Sequence, residues 1–383
     1  MRALIVGGGI GGLAAAVALR RIGVEVEVHE RAPELAEVGA GLSLWSNAVQ
    51  ALRRLGVAER VLAEATPIRS AVTYDVQGRV LSEMSVEPLA SRAGEPSVCA
   101  HRAELQRALA AELDPSVLRL GRACVGVEER LDHAAATFAD GSRVRADLVI
   151  GADGIRSAVR ASLVGPSEPR HSGYAAWRGI ARTEHPAHAG GRGLFLMGRG
   201  AQAGSFTCGP GRTYWFVTRN GPRGQTPPAD LKAAALETVR GWPAAFREVI
   251  EATEPAAILW NDIVDRPPAR TWGRGRITLL GDAIHPTTPN LGQGACMALE
   301  DAVVLAASLA REPDLERALR GYEDARRART AFVQEQSRSL GAMFQWERPL
   351  LCWMRDVGAR SAWARRQGEQ VLERLLVHPL PEL

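Results

Sequence analysis

The chain opens on an unbroken apolar run, Ala3–Val6, followed by a glycine-rich turn and by apolar residues at helical spacing over 12–22. A short run without polar alternation predicts a strand buried on both faces, as in parallel sheets. Glu25–Glu30 predicts a second strand, so the chain begins with a βαβ unit. Two later runs end like the first. Asp147–Asp153 reads Asp-Leu-Val-Ile-Gly-Ala-Asp, and Arg276–Asp282 reads Arg-Ile-Thr-Leu-Leu-Gly-Asp. These endings predict three strands delivering groups to one edge of one sheet, where ligands of open α/β folds bind.

The intervening segments have a different texture. Val72–Ser85 and Tyr174–Val217 alternate apolar and polar residues and are rich in glycine, which predicts antiparallel strands and hairpins, with Tyr214–Val217 the clearest. Pro227-Pro228 and Pro267-Pro268 punctuate the flanks of a helix predicted over Ala229–Thr253. A long charged helix is predicted over Asp314–Leu340, and more amphipathic helix beyond Gly341. The predicted fold class is α/β: a Rossmann-like domain with a parallel sheet, a smaller, mostly antiparallel β domain, and C-terminal helices. The chain returns twice to its first domain. Residues 1–72, 97–170 and 268–340 are assigned to the cofactor domain, 73–96 and 171–267 to the substrate domain, and 341–383 to a C-terminal helical segment.

Composition narrows the function classes. With 383 residues, 46% hydrophobic and 23% charged, the chain reads as an ordinary globular protein. Its 47 basic and 43 acidic residues are interspersed, which gives no support to a nucleic-acid partner. Lys232 is the only lysine. The five cysteines are scattered and make no C-x-x-C, which argues against a disulfide framework or a zinc site and fits a reducing cytoplasm. Glycines interrupt the apolar N-terminus, so an export signal is not expected. No run approaches the ~18 apolar residues of a membrane span.

The chemistry begins at Gly7-x-Gly9-x-x-Gly12, which encloses Ile10 and Gly11. After a strand and before a helix, this spacing permits a tight turn, close backbone approach to a pyrophosphate, and close packing of helix on strand. The helix N-terminus adds free N–H groups and a positive dipole end. Glu30, followed by Arg31, closes the next strand, where a carboxylate can accept a ribose 2′-hydroxyl. This unit by itself suits NAD or FAD equally. Arg102 opens an amphipathic helix and could neutralise a diphosphate. Asp153-Gly154 follows the second apolar run, with Ser157 and Arg160 on the next helix. Asp282 ends the third run, and a loop follows through His285, Pro289, Asn290, Gly292, Gln293, Gly294 and Ala295 into a long helix. Two glycines beside a stiffening proline let backbone approach a planar ligand, and the helix dipole suits a flavin edge that gathers negative charge on reduction.

In order and spacing these motifs resemble the class A, single-component FAD-dependent aromatic hydroxylases and monooxygenases of the p-hydroxybenzoate hydroxylase fold, over residues 1–340. The segment Gly39–Asn47, which includes Gly41, also resembles that family's stretch near the flavin. The resemblance implies FAD bound tightly and without a covalent bond. Glu30 would hold the adenosine ribose, Arg102 the linker and Asp282 the ribityl chain, with Pro289 and Gly292–Ala295 flanking the ring. Asp153 and Gly154 would serve FAD and NAD(P)H, and His285 would be structural. NADH or NADPH would act as a transient co-substrate, with O2 delivered to an electron-rich small molecule through a flavin C4a-hydroperoxide. The rivals are epoxidation or Baeyer–Villiger oxygenation on the same scaffold, a reductase that uses no oxygen, and a non-catalytic FAD-binding protein.

Substrate-side candidates are Tyr214, Arg178, Gln202 and Trp177 on the second sheet, against core packing or a solvated face as the plain alternative; Phe195, Phe206 and Phe216 are expected in the core rather than as apolar lining of a pocket, and Pro289 and Gly292 join the catalytic set. The resemblance places a purine-binding arginine of urate hydroxylases at the register of Gln202, which weighs against urate. His185 and His188 have metal-like spacing but no evident carboxylate partner, so no metal is expected. A monomer or homodimer in the cytoplasm is the expected state.

Overall fold

The computed structural model describes residues 1–35 and 40–383. Gly39 of the predicted flavin-side segment lies outside the described residues.

A six-stranded sheet runs in the order Gly273–Arg274, Ile277–Leu279, Leu148–Gly151, Arg2–Val6, Glu25–His29, Leu118–Arg119. Its strands pair in parallel except at the Gly273–Arg274 edge. Ala3–Val6, Leu148–Ile150 and Ile277–Leu279 are at most 3% exposed, which is why their one polar residue, Thr278, bonds a buried partner, Glu323, rather than facing water. The register sets Val6 beside Gly151, and Gly151 beside Leu279. The three predicted runs therefore end level, and Gly7, Asp153 and Asp282 leave the same edge. Helices Ile10–Arg21 and Gly294–Arg311 pack against each other over this sheet. The approach is close at Gly11, where a Cβ would meet Leu280 Cδ1 at 2.8 Å.

The second sheet has seven strands in the order Leu259–Asp265, Arg170–Ala181, Thr213–Asn220, Ala201–Thr207, Arg192–Met197, Ser70–Asp75, Val80–Ser85. All its pairings are antiparallel except that of Arg192–Met197 with Ser70–Asp75. One face buries Trp177, Leu196, Ala203, Trp215 and Val217 against Phe246, Val249 and Ile250 of a helical layer. Two expectations are corrected here. The helix predicted over 229–253 is two helices, Leu231–Thr238 and Ala244–Glu251. Gly241, with φ +78°, and Pro243, which lacks an N–H, interrupt it. Trp177 is 5% exposed in the helix-packed cluster, so it does not face the parallel domain. The strand period of two puts its neighbour Arg178 on the opposite face.

Two small sheets escaped the hydrophobic pattern. Cys124–Glu129, Ala134–Phe138 and Arg143–Ala146 form an antiparallel meander leading into Leu148. Gly41–Leu44, Val98–His101 and Thr66–Pro67 form another. The long charged helix is Leu315–Phe344, capped by Asp314, whose Oδ1 accepts from Arg317 N at 2.9 Å. Helices Pro349–Ala359 and Ala362–Leu376 follow. Among the described residues, no helix is long and apolar enough to cross a membrane.

Candidate functional site

The site grows from the edge where the three strands end. At the first turn, Gly7 has φ +114°, and a Cβ there would lie 2.3 Å from Ala152 O; at Gly12 a Cβ would lie 1.9 Å from Gly7 O. Only glycine fits either position. A Cβ on Gly9 would meet nothing within 4 Å, so the protein leaves open the side a pyrophosphate would approach. Ile10 is buried in the core behind the turn. Glu30 is tied to the same turn: Oε2 accepts from Gly8 N at 2.6 Å and Oε1 from Ala32 N at 2.9 Å. Each oxygen keeps acceptor capacity for a ribose hydroxyl. Gln106 Nε2 donates to Gly8 O at 3.1 Å and steadies the turn from the side. Arg31 is exposed beside Glu30.

At the second strand end, Asp153 Oδ2 accepts from Ala158 N and Val159 N at 2.7 and 3.3 Å. Its Oδ1 is buried without a partner among the described residues, an acceptor left short of a donor. Burial pushes its carboxyl up despite the hydrogen bonds from Ser157 and the backbone. Gly154 turns the chain there with φ +78°.

At the third, Asp282 lies deep among protein atoms, and that desolvation raises its carboxyl above the usual range, with His285 and Arg102 opposing. Its side chain is nonetheless solvent-accessible. Depth and accessibility together describe the floor of a crevice, and the open side is the better guide to where a ligand reaches it. Arg102, the first residue of helix Arg102–Ala110, faces the same space: burial lowers its pKa, Asp282 opposes, and Arg178 of the second sheet adds to the lowering. Residues more than seventy positions apart thus meet electrostatically.

The loop after Asp282 is fixed from several directions. Trp45 Nε1 donates to Leu291 O at 3.0 Å, Tyr174 OH to Asn290 Oδ1 at 2.8 Å, Ser337 Oγ to Thr288 O at 2.6 Å and Gln334 Nε2 to Pro286 O at 3.2 Å. Pro289 is exposed, and Gly292 takes the left-handed conformation with φ +62°. Gly294 then starts an 18-residue helix with no side-chain cap and no acid in its first turn, so its first N–H groups are available to an external acceptor. Gln293 is buried, with Oε1 accepting from Asn47 at 3.0 Å, and Ala295 is partly buried.

Beneath the loop lies a buried ionic network. His285 Nε2 bonds Asp301 Oδ2 at 2.5 Å, and Gly281 N donates to the same oxygen at 2.9 Å. Arg326 bridges Asp301 and Glu300 at 2.7 Å each, while Arg329 and Asn47 reach Glu300 Oε1 at 2.6 Å. Burial alone would raise the Glu300 carboxyl, but Arg326 and Arg329 outweigh it and hold it well below the carboxylate range. This gives His285 a structural partner.

The face of the second sheet that carries Arg178 packs against this side of the molecule. Its register sets Arg178 beside Phe216, Ile180 beside Tyr214, Phe206 beside Tyr214, and Gln202 beside Thr218. Phe195, Phe206 and Phe216 form an aromatic wall, with Phe195 5.3 Å from Phe206 and 6.3 Å from Phe216 between ring centroids. Burial raises the Tyr214 phenol to about 12, with Arg178 partly opposing. Gly41 packs directly on that ring. Gln345, from the C-terminal segment, donates Nε2 to Thr218 Oγ1 at 2.5 Å, beside Gln202. Tyr174 and Gln345 lie in no motif, whereas Trp45 and Asn47 fall inside the Gly39–Asn47 segment and Glu300 and Asp301 lie on the long helix that follows the Asp282 loop. His185 meets a carboxylate after all, Glu248 at 2.9 Å, across the helical layer. A separate cavity of about 390 Å3, lined by Gln50, Arg53, Arg54 and His378, holds none of these groups.

The first turn with Glu30, the partnerless Asp153 oxygen, Arg102 beside Asp282 and the uncapped helix at Gly294 fit an extended, anionic dinucleotide ending in a planar ring. A family described as an FAD binding domain matches residues 1–337. The aurachin C monooxygenase/isomerase of Stigmatella aurantiaca is 39% identical over 383 residues, covering 98% of each chain. A FAD-dependent urate hydroxylase of Klebsiella pneumoniae subsp. pneumoniae is 33% identical over 379 residues, covering 98% of this chain and 97% of that one. The structure of Klebsiella pneumoniae HpxO complexed with FAD and uric acid superimposes with a TM-score of 0.93 at 31% identity, covering 99% of this chain and 97% of that one. This chain belongs to the FAD-binding-domain family, among the class A FAD-dependent hydroxylases and monooxygenases.

Proposed function

We propose that the protein uses FAD, NADH or NADPH, and O2 to hydroxylate an aromatic or other electron-rich small molecule. The observation carrying this reading is the crevice itself. The floor formed by Asp282, Arg102 and the Gly292–Ala295 backbone faces a sheet that offers both an aromatic wall and the polar groups Arg178, Tyr214 and Gln202.

When bound, FAD supplies the redox and oxygen-transfer chemistry. The chain's own residues bind, orient and desolvate. Glu30 accepts the adenosine ribose hydroxyls, Arg102 neutralises the diphosphate and Asp282 accepts from the ribityl hydroxyls. Asp153 and Gly154 line the linker. The backbone N–H groups at Gly294 and Ala295 offer a positive field to the ring edge beside Pro289. Phe195, Phe206 and Phe216 keep the opposite side dry, which protects a reactive oxygen donor from wasteful breakdown. Arg178 favours the ionised form of a phenolic substrate, Tyr214 offers a neutral hydroxyl, and Gln202 presents one donor and one acceptor to a ring heteroatom.

Relatives named for 3-amino-4-hydroxybenzoate, for urate and for 2-heptyl-3-hydroxy-4(1H)-quinolone support a planar conjugated substrate. The neutral Gln202 favours an uncharged ring over an acidic purine. Residues 1–72, 97–170 and 268–340 would form the cofactor unit, 73–96 and 171–267 the substrate unit, in a cytoplasmic monomer or homodimer. The test is a screen of such compounds against the FAD-reconstituted protein, following NAD(P)H oxidation and incorporation of labelled oxygen. A colourless protein after reconstitution, or NAD(P)H oxidation that no ring compound accelerates, would overturn the reading.

A further inference from the structure

Helix Pro349–Ala359 wears its polarity inside out. Its inward face carries Cys352 and Arg355, both buried, and Arg355 spends its guanidinium on the carbonyls of Gly198 (2.9 Å) and Phe344 (3.3 Å). Its outward face carries Leu350, Trp353, Met354 and Val357, which are 66, 61, 51 and 47% exposed. Their spacing puts them on one stripe, where a water-facing helix would carry polar residues. The next helix opens with Trp363, 72% exposed.

The charges around this stripe identify what covers it. Arg348, Arg365 and Arg366 are exposed, and their side chains form no ion pair or hydrogen bond with any described residue. Of the nearby carboxylates, Glu347 accepts from Asn220, Asp356 pairs with Arg355 and Glu373 with Arg92, while Glu83 and Glu369 pair with no described residue, fewer than the three free arginines. An isologous contact with a second copy would bring like-charged arginines toward one another. An anionic lipid surface satisfies both features: tryptophan and aliphatic side chains enter the boundary layer while arginines meet the headgroups. We propose that residues 348–366 dock the protein peripherally on an anionic bilayer, with Leu350, Trp353, Met354, Val357 and Trp363 inserted at the interface. No spanning segment is required.

The experiment uses the full, FAD-loaded chain with vesicles of equal parts phosphatidylcholine and phosphatidylglycerol, and with phosphatidylcholine alone. The expected result is co-sedimentation with the anionic vesicles, weakened by added salt, and quenching of tryptophan fluorescence by lipids brominated on the acyl chains. Arg365→Gln with Arg366→Gln should lower the affinity by roughly fivefold per arginine. Trp353→Ser with Trp363→Ser should abolish both binding and quenching while leaving the flavin content unchanged. Quenching of the parent protein needs no variant, so a poorly folding mutant does not rescue the idea. Absence of binding to anionic vesicles at low salt overturns it, as does equal binding by the tryptophan variant. A dimer that Trp353→Ser dissociates would assign the face to a second copy instead.

Discussion

Gly41 and Tyr214 compete for one space: a Cβ on Gly41 would lie 2.4 Å from Tyr214 Cγ. A backbone strand of the parallel domain therefore sets the position of a phenol on the second sheet. Gly41→Ala should cost about 1–3 kcal/mol through overpacking and displace the ring. FAD content should survive while substrate-stimulated NAD(P)H oxidation falls. Full coupled turnover in Gly41→Ala would remove Tyr214 from the substrate site.

The pH behaviour of Tyr214 follows from its burial. With its pKa raised to about 12, the phenol stays neutral at any pH below that value. Tyr214→Phe should therefore lower turnover without shifting either limb of the pH–rate profile. The sign for stability is also fixed. A folded pKa above the ordinary value of about 10 means the contribution is intact below about 10 and declines as pH rises toward the folded value. Alkaline unfolding should be milder in Tyr214→Phe.

Glu300 behaves in the opposite direction. Its folded pKa is depressed because Arg326 and Arg329 outweigh the burial penalty. The stability it contributes is complete above the unfolded value of about 4.3 and is lost as pH falls toward the folded one. Glu300→Ala leaves two buried guanidinium groups short of their partner and should cost about 3–5 kcal/mol. Thermal denaturation at neutral pH checks the loss, and a flatter acid limb of the stability curve checks its origin.

Glu30 offers a test of the cofactor's sugar end. Removing a charged acceptor of two hydroxyl hydrogen bonds costs about 1.5–3 kcal/mol, so Glu30→Ala should weaken FAD binding by roughly 10- to 100-fold. Flavin fluorescence during titration of the apoprotein gives the constant. Unchanged affinity would move the ribose away from Glu30.

Gln202 tests the ring-side specificity. It is 3% exposed, on the same sheet face as Arg178 and Tyr214. Gln202→Arg should let uric acid stimulate NAD(P)H oxidation that the parent protein does not show. Stimulation of the parent by uric acid would contradict the reading of Gln202.

The parallel architecture was legible because Ala3–Val6, Leu148–Ile150 and Ile277–Leu279 are buried on both faces and are almost wholly apolar, Thr278 alone being polar and satisfied by Glu323. The glycine that follows each apolar run, with an aspartate after the second and third, gave the crevice edge as well. The meander Cys124–Ala146 was not legible, since short alanine- and arginine-bearing strands lack a distinctive period. The paired helices after Leu231 read as one because helical spacing continues on either side of Gly241. The groups that fix the loop after Asp282 come from three distant places: Trp45, Tyr174, and the pair Gln334 and Ser337 on one face of the long helix. Only the tertiary fold brings them together. Trp177 was misplaced for a simpler reason: alternation gives two faces without saying which one the helices cover.

The level endings of Val6, Gly151 and Leu279 have a consequence for biosynthesis. The first turn leaves the ribosome long before its neighbours, and the third strand arrives only after most of the chain has been made. Contacts of such long sequence separation form late. A nascent chain therefore presents a phosphate turn with no crevice around it until residues near 280 have emerged.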